Sequence, residues 1–284
     1  FSCAYRLQVA QQPGYQLFAM LGQFFSLFSM GDKTKVPYFT NMGSGLASGA
    51  TIMFLFWTIT AIARKLLVKR GNEVDSNSQI MIFGGGLVGA LVFTYTDTFW
   101  FSAVETIVFA LSSLCTAIVF WAILKWDAHS DEPGADKWII FIAYVVGLSI
   151  GIHLLNLLTI PAIGLVYYFR RYKHINRKTG IIAFLVRIAI LASVQIGVRG
   201  YTVMVAAYFD MFFVNTLGLG FGSGAIVFFL LLIAGIIAGV RYSIRKGKPV
   251  LNLAFLCLAF LYFGYGSFVY IPIRATANTD LNNW

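Results

Sequence analysis

Long uncharged stretches alternate with short charged ones along the chain. The uncharged runs cover residues 36–63, 76–96, 106–124, 138–169, 211–240 and 249–273. A helix of roughly 18 or more apolar residues is long enough to cross the hydrocarbon core of a membrane, about 30 Å thick. Buried strands would be shorter and would be punctuated by turns. The pattern therefore predicts an all-α integral membrane protein, a polytopic helical bundle.

Eight transmembrane helices are predicted from the hydrophobic pattern, one of them across Arg187. We place them at about residues 39–63, 79–97, 100–124, 138–152, 154–170, 180–198, 223–241 and 250–272. Two further apolar segments, 14–30 and 201–221, do not fit the alternation of spans. We expect each to form a helix at the outer membrane interface with its aromatic side chains facing the lipid. The alternative is that either segment is a true span.

The composition agrees with a membrane protein and argues against a soluble one. Hydrophobic residues make up 59% of the chain and charged residues only 11%, whereas a soluble domain carries about 25% charged residues. The net charge of +10 comes from basic residues in short loops, where such residues set membrane orientation. Nucleic acid is therefore not an expected partner. Cys3, Cys115 and Cys257 are far apart and are expected to be free thiols.

The distribution of basic residues predicts the orientation of the chain. If the eight spans alternate, the loops on one side hold a large basic set: Arg64, Lys65, Lys69, Arg70, Lys125, Lys137, Arg170, Arg171, Lys173, Arg177, Lys178, Arg241, Arg245, Lys246 and Lys248. The other side holds a small set: Arg6, Lys33, Lys35, Arg199 and Arg274. Cytoplasmic loops are the basic ones. Residues 1–38 and the C-terminal tail are therefore predicted to face outside.

Two carboxylates near the outer end of the third predicted span are candidate site residues. Asp97 begins that span, where a negative charge suits the positive end of the helix dipole. Glu105 is predicted to lie one turn inside the membrane, where an ionisable group is costly and therefore suspected of a function. Glu105 is the candidate catalytic residue. The alternative is a buried structural pair with Arg187 or Arg199.

Other polar residues are also predicted at the outer side. His153 lies at the turn between two short spans, where it could orient a phosphate, act as a base or cap a bend. Arg274 and Asn278 follow the last span, and a guanidinium group forks well onto phosphate oxygens. The alternative for Arg274 is ordinary anchoring of a helix end. Arg187 falls within a span and needs a partner, and Asp210 lies on the outer interfacial segment.

Familiar catalytic sequence motifs are absent. The sequence contains no nucleotide-binding glycine loop, no Gly-x-Ser-x-Gly and no His-Glu-x-x-His. No metal-binding residues are therefore predicted, although a need for a divalent metal stays open. Nor does the sequence contain the internal repeat that marks many transporters, which disfavours a transporter.

Six stretches together resemble a known family. They are Tyr5-Arg-Leu-Gln-Val, Gln12-Pro-Gly-Tyr15, Leu55-Phe-Trp-Thr-Ile59, Asp97-Thr-Phe-Trp-Phe-Ser-Ala-Val-Glu105, Gly147-Leu-Ser-Ile-Gly-Ile-His153 and Ile271-Pro-Ile-Arg-Ala275. In this order they resemble a family of polytopic proteins common in Bacteroidetes, related to a eukaryotic transmembrane protein O-mannosyltransferase. The similarity extends over essentially the whole chain.

The resemblance implies a C-type glycosyltransferase in the bacterial inner membrane. Such an enzyme takes a sugar from a polyprenyl-phosphate donor, a membrane lipid, and transfers it to a hydroxyl of a protein acceptor on the periplasmic face. His153 and Arg274 match the family pattern and are carried over as binders of the donor. Asn278, Gln11 and Asp97 are further candidate substrate contacts in this sequence. The family's acidic loop motif is expected before Phe1. Residues 1–284 are therefore expected to be a single transmembrane domain of a longer polypeptide.

Two departures from the family pattern keep a second interpretation open. The family usually has His-Pro-Pro-Gly where this chain has Gln11-Gln-Pro-Gly14, and Glu-Val-Tyr where it has Ile107-Val-Phe109. Both changes remove polar groups from suspected site positions. Either Glu105 substitutes for them in an altered site, or the chain is a non-catalytic scaffold with partner subunits in a cell-envelope complex.

Overall fold

The computed structural model describes residues 2–9, 15–68, 74–172 and 176–277, and these residues are almost entirely helical. The helices are α1 (Ser2–Tyr5), α2 (Gln16–Ser26), α3 (Val36–Leu67), α4 (Ser76–Thr94), α5 (Asp97–Val104), α6 (Val108–His129), α7 (Lys137–Ile150), α8 (Thr159–Arg171), α9 (Arg177–Ala192), α10 (Thr202–Asn215), α11 (Ser223–Arg245), α12 (Pro249–Tyr265) and α13 (Tyr270–Thr276). Short 3-10 turns cover Leu27–Ser29, Lys33–Lys35, Leu154–Leu158 and Gly266–Val269, and a π-helical segment covers Ser193–Tyr201.

Six helical segments in the described residues are long and apolar enough to cross a membrane. They are Lys33–Leu67, Ser76–Thr94, Val108–His129, Arg177–Asn215, Ser223–Arg245 and Pro249–Thr276. The predicted all-α polytopic membrane fold is thereby confirmed. The other two predicted spans are shorter helices: α7 has 14 residues and α8 has 13. At 1.5 Å per residue α7 reaches only about 21 Å, so these two helices are shorter than the other six, as the two short spans predicted there are.

The third predicted span begins later than the sequence indicated. Helix α5 ends at Val104, and the backbone of Glu105 is extended, with φ −115° and ψ 147°. The hydroxyl of Thr106 then donates to Oδ1 of Asn41 on α3 at 2.6 Å. Side chains branched at Cβ, such as Thr106 and Ile107, also lose rotamer freedom in a helix. The span therefore starts at Val108, and Glu105 is not inside a helix.

Residues 201–221 do not form a separate interfacial helix. Helix α9 continues through the π-helical segment into α10, giving one helical segment of 39 residues that ends at Asn215. The Asp210 carboxylate accepts hydrogen bonds from the backbone N–H groups of Gly222 and Gly224, at 3.1 and 3.0 Å. Gly222 has φ +90°, a conformation that glycine adopts without strain. Asp210 therefore caps the start of α11 and has a structural role.

The other segment predicted at the interface, residues 14–30, contains a helix as expected. Within its described part, α2 and the following 3-10 turn expose Phe24, Phe28 and Met30. Such an amphipathic helix suits the membrane interface, and its placement there stays a prediction.

The core of the bundle lies where α6, α7 and α12 meet. Trp126 and Ile123 on α6 are buried there, with exposures of 0% and 2%. Helices α7 and α12 touch backbone to backbone: a Cβ atom on Gly147 would lie 3.0 Å from the carbonyl carbon of Leu261. A Cβ atom on Gly264 would lie 2.7 Å from the backbone nitrogen of Leu148. Small residues permit this close contact in membrane helices, and it aligns α7 with α12.

Ion pairs gather at one end of the bundle, called here the basic end. Lys65 at the end of α3 pairs with Asp127 on α6. Arg170 on α8 pairs with Asp131 at 2.6 Å, and the neighbouring Arg171 pairs with Asp136 at 3.1 Å. Three loops that the alternation of spans assigns to one side therefore meet at one end. The opposite end, predicted to be the external one, is called the outer end.

Candidate functional site

Three elements converge at the outer end around Gly151. The backbone N–H of Leu17 on α2 donates to the Gly151 carbonyl at 3.0 Å. A Cβ atom on Gly151 would lie 2.7 Å from Oγ of Ser267 and 3.3 Å from Nε2 of Gln16. Glycine is therefore required for the turn after α7 to fit between α2 and the 3-10 turn Gly266–Val269. We call Gln16, Gly151 and Ser267 the outer-end cluster.

The outer-end cluster contains buried polar atoms without hydrogen-bond partners. Gln16 is 2% exposed, and neither its Oε1 nor its Nε2 has a partner among the described residues. Oγ of Ser267 is also buried and has no hydrogen-bond partner among the described residues. The same holds for Oε1 of Gln8 and Nδ2 of Asn156, elsewhere at this end. A buried polar group left unpaired costs about 1–3 kcal/mol. Groups of this kind are normally satisfied by a bound molecule or by ordered water.

His153 is held in place directly after this turn. Its Nδ1 accepts the N–H of Leu155 at 3.3 Å, so His153 caps the 3-10 turn Leu154–Leu158. That bond places the ring proton on Nε2, which is left as a donor. The ring packs edge-to-face on Phe109, with centroids 5.4 Å apart. Asn156 fixes the same turn to α6, because its Oδ1 accepts both the Ser112 and Thr116 hydroxyls at 2.8 Å.

Arg274 lies at the same end, and two nitrogen atoms of its guanidinium group donate to backbone carbonyls. Nε donates to the Leu7 carbonyl at 2.7 Å and Nη2 to the Arg6 carbonyl at 3.0 Å. Tyr270, one turn earlier on α13, donates its hydroxyl to the Gln8 carbonyl at 3.2 Å. Arg274 thus anchors α13 to residues 6–8, and no hydrogen bond joins it to a described residue of the outer-end cluster. The predicted contacts Gln11 and Asn278 lie outside the described residues.

The two predicted carboxylates, Asp97 and Glu105, are exposed at the two ends of α5. Asp97 lies in the first turn of α5, after the N-cap residue Thr96. Glu105 follows the last turn and is likewise exposed. The alternative of a buried pair is wrong, since Glu105 makes no ion pair within the described part of the chain. Arg187 instead donates to the carbonyls of Gly164 and Ala183, at 3.1 and 2.9 Å.

Arg199 is a candidate that the sequence analysis missed. It was assigned to an outer loop, but it lies in the π-helical segment inside the long helix, where it is half-buried. Three residues later, the Thr202 hydroxyl contacts the Tyr262 hydroxyl of α12 at 2.7 Å, so this segment lies against α12. The sequence carried one signal for this arrangement, because no proline interrupts residues 177–215. A helix could therefore continue past Arg199.

No metal site is evident in the part of the chain that the structure describes. There, no group of three or more histidine, cysteine, aspartate or glutamate residues lies close enough together to hold an ion. The polar groups at the outer end are amides, hydroxyls, one imidazole, the arginines and the separate exposed carboxylates Asp97 and Glu105. This set suits hydrogen bonding to a polar organic or phosphate ligand.

Comparison with known protein families gives a match to the first part of the chain. A family model described as the protein O-mannosyl-transferase TMEM260 N-terminal domain matches residues 1–176. The matched region contains Gln16, Glu105 and His153, whereas Arg199 and Arg274 lie beyond it. No curated protein and no solved structure is significantly similar to the chain.

Proposed function

Because the chain belongs to the protein O-mannosyl-transferase TMEM260 N-terminal domain family, we propose that it moves a sugar, mannose by the family's name, from a polyprenyl-phosphate donor to a protein hydroxyl. The family accounts for the glycosyltransferase class. The lipid-linked donor, the bacterial inner membrane and the periplasmic face are our proposals. They extend the prediction made from the sequence.

The observation that carries this proposal is the set of buried, unpaired polar atoms at the outer end. Each sugar hydroxyl is both a donor and an acceptor, so it can satisfy the amide of Gln16 and the hydroxyl of Ser267. The Nε2 proton of His153 adds a donor beside them. Apolar side chains on the helices below suit an isoprenoid tail, and a site that joins polar groups to a lipid-facing surface suits a lipid-linked sugar.

The reaction requires one bond to form at the sugar C1 atom and one to break there. The acceptor hydroxyl oxygen attacks C1, the bond from C1 to the phosphate oxygen breaks, and the phosphate leaves with the electron pair. The hydroxyl proton passes to a base. We assign that role to Glu105, an exposed carboxylate at the outer end. Asp210 is not suited to it, because its oxygens already accept three backbone N–H groups.

A transfer assay tests this proposal. The full-length protein in lipid nanodiscs would be given labelled polyprenyl-phosphate mannose or nucleotide-linked mannose, together with a mixture of secreted acceptor proteins. We expect label on protein from the lipid-linked donor only. His153→Ala should lower the rate about tenfold or more, since one hydrogen bond to the reacting group is lost.

His129→Ala is the matched control for that assay. His129 lies at the basic end, where its Nδ1 contacts the Lys125 carbonyl, so its loss should leave transfer unchanged. Transfer from the nucleotide-linked sugar alone would contradict the proposal. So would equal losses in the two histidine variants.

A second candidate function is a non-catalytic scaffold in an envelope complex. The contact between Phe109 and His153 favours it, because phenylalanine stands where the resembling family has tyrosine. A hydroxyl is therefore missing beside the histidine. Binding of the lipid-linked sugar without any transfer in the same assay would support the scaffold.

A further inference from the structure

We propose that the groove between α8 and α9, at the basic end of the bundle, binds an anionic phospholipid whose phosphate group pairs with Arg187. This lipid belongs to the surrounding membrane and lies at the end opposite the outer-end cluster, so the inference does not rest on the proposed function. In the sequence, Arg187 falls within a predicted span and needs a partner. The structure places its side chain in a groove with hydrogen-bond donors to spare.

The side chain of Arg187 on α9 crosses the groove and lies against α8. A Cβ atom on Gly164 of α8 would lie 3.0 Å from Nε and 3.1 Å from Cδ of Arg187, so a side chain at position 164 would collide with the arginine. Nε donates to the Gly164 carbonyl at 3.1 Å and Nη1 to the Ala183 carbonyl at 2.9 Å. The guanidinium group also lies over the ring of Tyr168, 5.4 Å from its centroid. These contacts fix the guanidinium group between the two helices.

The same contacts leave the charge of Arg187 uncompensated. Carbonyl oxygens and an aromatic ring are neutral, and no carboxylate in the described part of the chain forms an ion pair with Arg187. Its Nη2 makes no hydrogen bond to a described residue, and the side chain is partly exposed. A charged residue within a membrane span is costly and is usually paired. Arg187 therefore has both the charge and the free donors that an anion requires.

The Tyr168 hydroxyl is a second unpaired group in this groove. Tyr168 is 6% exposed, and its hydroxyl has no hydrogen-bond partner among the described residues. A buried hydroxyl of this kind is normally satisfied by a bound molecule or by ordered water. The hydroxyl and the neighbouring guanidinium group both lack an acceptor, and the oxygens of a phosphate group are strong acceptors.

The depth of the guanidinium group suits a lipid headgroup. Helix α9 begins at Arg177, and α8, on the other side of the groove, ends at Arg171 at the basic end. Ala183, whose carbonyl the guanidinium group contacts, lies about 9 Å from Arg177 along α9 at 1.5 Å per residue. The headgroup layer is about 5–8 Å thick on each side of the hydrocarbon core. With the start of α9 at the membrane surface, the guanidinium group therefore reaches the boundary between headgroups and hydrocarbon.

The surroundings of the groove favour a phospholipid over a carboxylate on a partner helix. Arg177 and Lys178 are exposed and form no ion pair within the described ranges, so they add positive charge around a headgroup. Phe184 and Ile188, which lie before and after Arg187 on α9, are exposed and can contact acyl chains. A carboxylate on another helix would itself be costly in the membrane, whereas a lipid phosphate already lies near this depth. Basic pockets between membrane helices bind anionic headgroups in this way.

The experiment measures the lipid preference of the full-length protein after lipids have been removed. The protein in neutral detergent would be given phosphatidylglycerol, phosphatidylcholine or inorganic phosphate, and bound molecules would be counted by native mass spectrometry. We expect phosphatidylglycerol to bind about tenfold or more tightly than phosphatidylcholine, because only its headgroup has a net negative charge. Arg187→Gln should weaken phosphatidylglycerol binding about tenfold, whereas Arg187→Lys, which keeps the charge, should retain part of the affinity.

Gly164→Ala tests the groove without removing a charge. The alanine Cβ would displace the Arg187 side chain from α8, so phosphatidylglycerol binding should fall about threefold to tenfold. Gly180→Ala is the matched control, because a Cβ atom there would have no neighbour within 4 Å. Arg245→Gln removes an exposed charge in the last turn of α11 and controls for net charge. Both controls should bind the lipid as the wild type does.

Thermal unfolding separates a lipid site from a purely structural role of Arg187. In nanodiscs of phosphatidylcholine, Arg187→Gln should unfold at the same temperature as the wild type or at a higher one, because an uncompensated charge is lost. Added phosphatidylglycerol should stabilise the wild type more than the variant, since a ligand stabilises the folded state that binds it. Equal loss of stability in both lipids, with an unchanged lipid preference, would overturn the proposal.

Two further outcomes would replace the lipid with another occupant. Binding of inorganic phosphate that depends on Arg187, without any preference for phosphatidylglycerol, would overturn the assignment to a lipid. A membrane polypeptide that copurifies with the wild type and is lost from Arg187→Gln, while the lipid preference stays unchanged, would assign the groove to a partner helix and would also overturn the proposal.

Discussion

Replacing Gly147 with leucine is expected to prevent the helical bundle from assembling. The backbones of α7 and α12 touch at this point, and even a Cβ atom would lie within 3.1 Å of Leu261 Cα. The backbone of a helix cannot move aside as a flexible side chain can. Because overpacking at such a site separates two core helices, we expect destabilisation of about 4 kcal/mol or more. The measurement is the yield and thermal unfolding of monodisperse protein in detergent.

Gly235→Leu provides the matched control for that prediction. Gly235 also lies in an apolar helix, but a Cβ atom there would have no neighbour within 4 Å. Leucine should therefore be tolerated at position 235, facing lipid. If Gly147→Leu folded as well as Gly235→Leu, the contact between α7 and α12 would not be the one described.

Replacing Gln16 with methionine is expected to abolish most transfer activity while leaving the fold intact. Methionine has a similar length but no amide, so the variant removes two buried polar atoms that lack partners. Stability should stay the same or rise by about 1–3 kcal/mol, the cost of an unsatisfied group. Two lost hydrogen bonds to the sugar should lower kcat/KM about 10- to 100-fold.

Lower stability with unchanged transfer activity would identify Gln16 as a structural residue. If Gln16→Met unfolded at a lower temperature and kept full transfer activity, the amide would be satisfied by ordered water. Gln79→Met is the control, because the Gln79 side chain is exposed at the start of α4, where its Nε2 donates to the Val74 carbonyl. It should change neither quantity.

The membrane fold could be predicted from the sequence because it depends on local composition. An uncharged run of sufficient length can cross the hydrocarbon core as a helix, because the helix makes its backbone hydrogen bonds internally and needs no distant partner. Six full-length helices therefore lie where spans were predicted. The family was also predicted correctly, since the family model matches residues 1–176.

The breaks within helices could not be predicted because they depend on distant contacts. Helix α6 starts at Val108 where Thr106 bonds to Asn41, a residue 65 positions earlier in the chain. Asp210 suggested an exposed interfacial segment, yet its carboxylate is buried and caps α11. Both errors concern a polar residue in an apolar run whose partner lies on another helix, and the sequence does not identify that partner.

Glycines spaced four residues apart indicate only part of the close helix contacts. A Cβ atom on Gly89 or Gly239, the second glycines of Gly85-x-x-x-Gly89 and Gly235-x-x-x-Gly239, would lie within 3.0 Å of a side chain on another helix. A Cβ atom on the first glycine of either pair would have no neighbour within 4 Å. The backbone contact between α7 and α12 occurs at Gly147 and Gly264, which lie on different helices. A motif records small residues on one face and carries no information about the partner helix.

The sequence indicated at which end of the bundle the candidate residues lie, but it did not single out all of them. His153 and Arg274 were predicted at the outer side, and both lie at the outer end. Arg199 was placed in a loop, and Gln16 was not singled out, because a glutamine near the start of a helix looks ordinary in sequence. Its burial depends on the fold of Gly151 and Ser267 around it.

The central claim is that the outer end of the bundle binds a lipid-linked sugar. The most direct test is photo-crosslinking of a polyprenyl-phosphate mannose analogue with a photoreactive group on the sugar, followed by mass spectrometry of the labelled peptides. We predict labelling of the peptide that contains Gln16 and of the peptide that spans residues 262–270. Labelling concentrated at the basic end, near Lys65, Asp127 and Arg170, would contradict the claim.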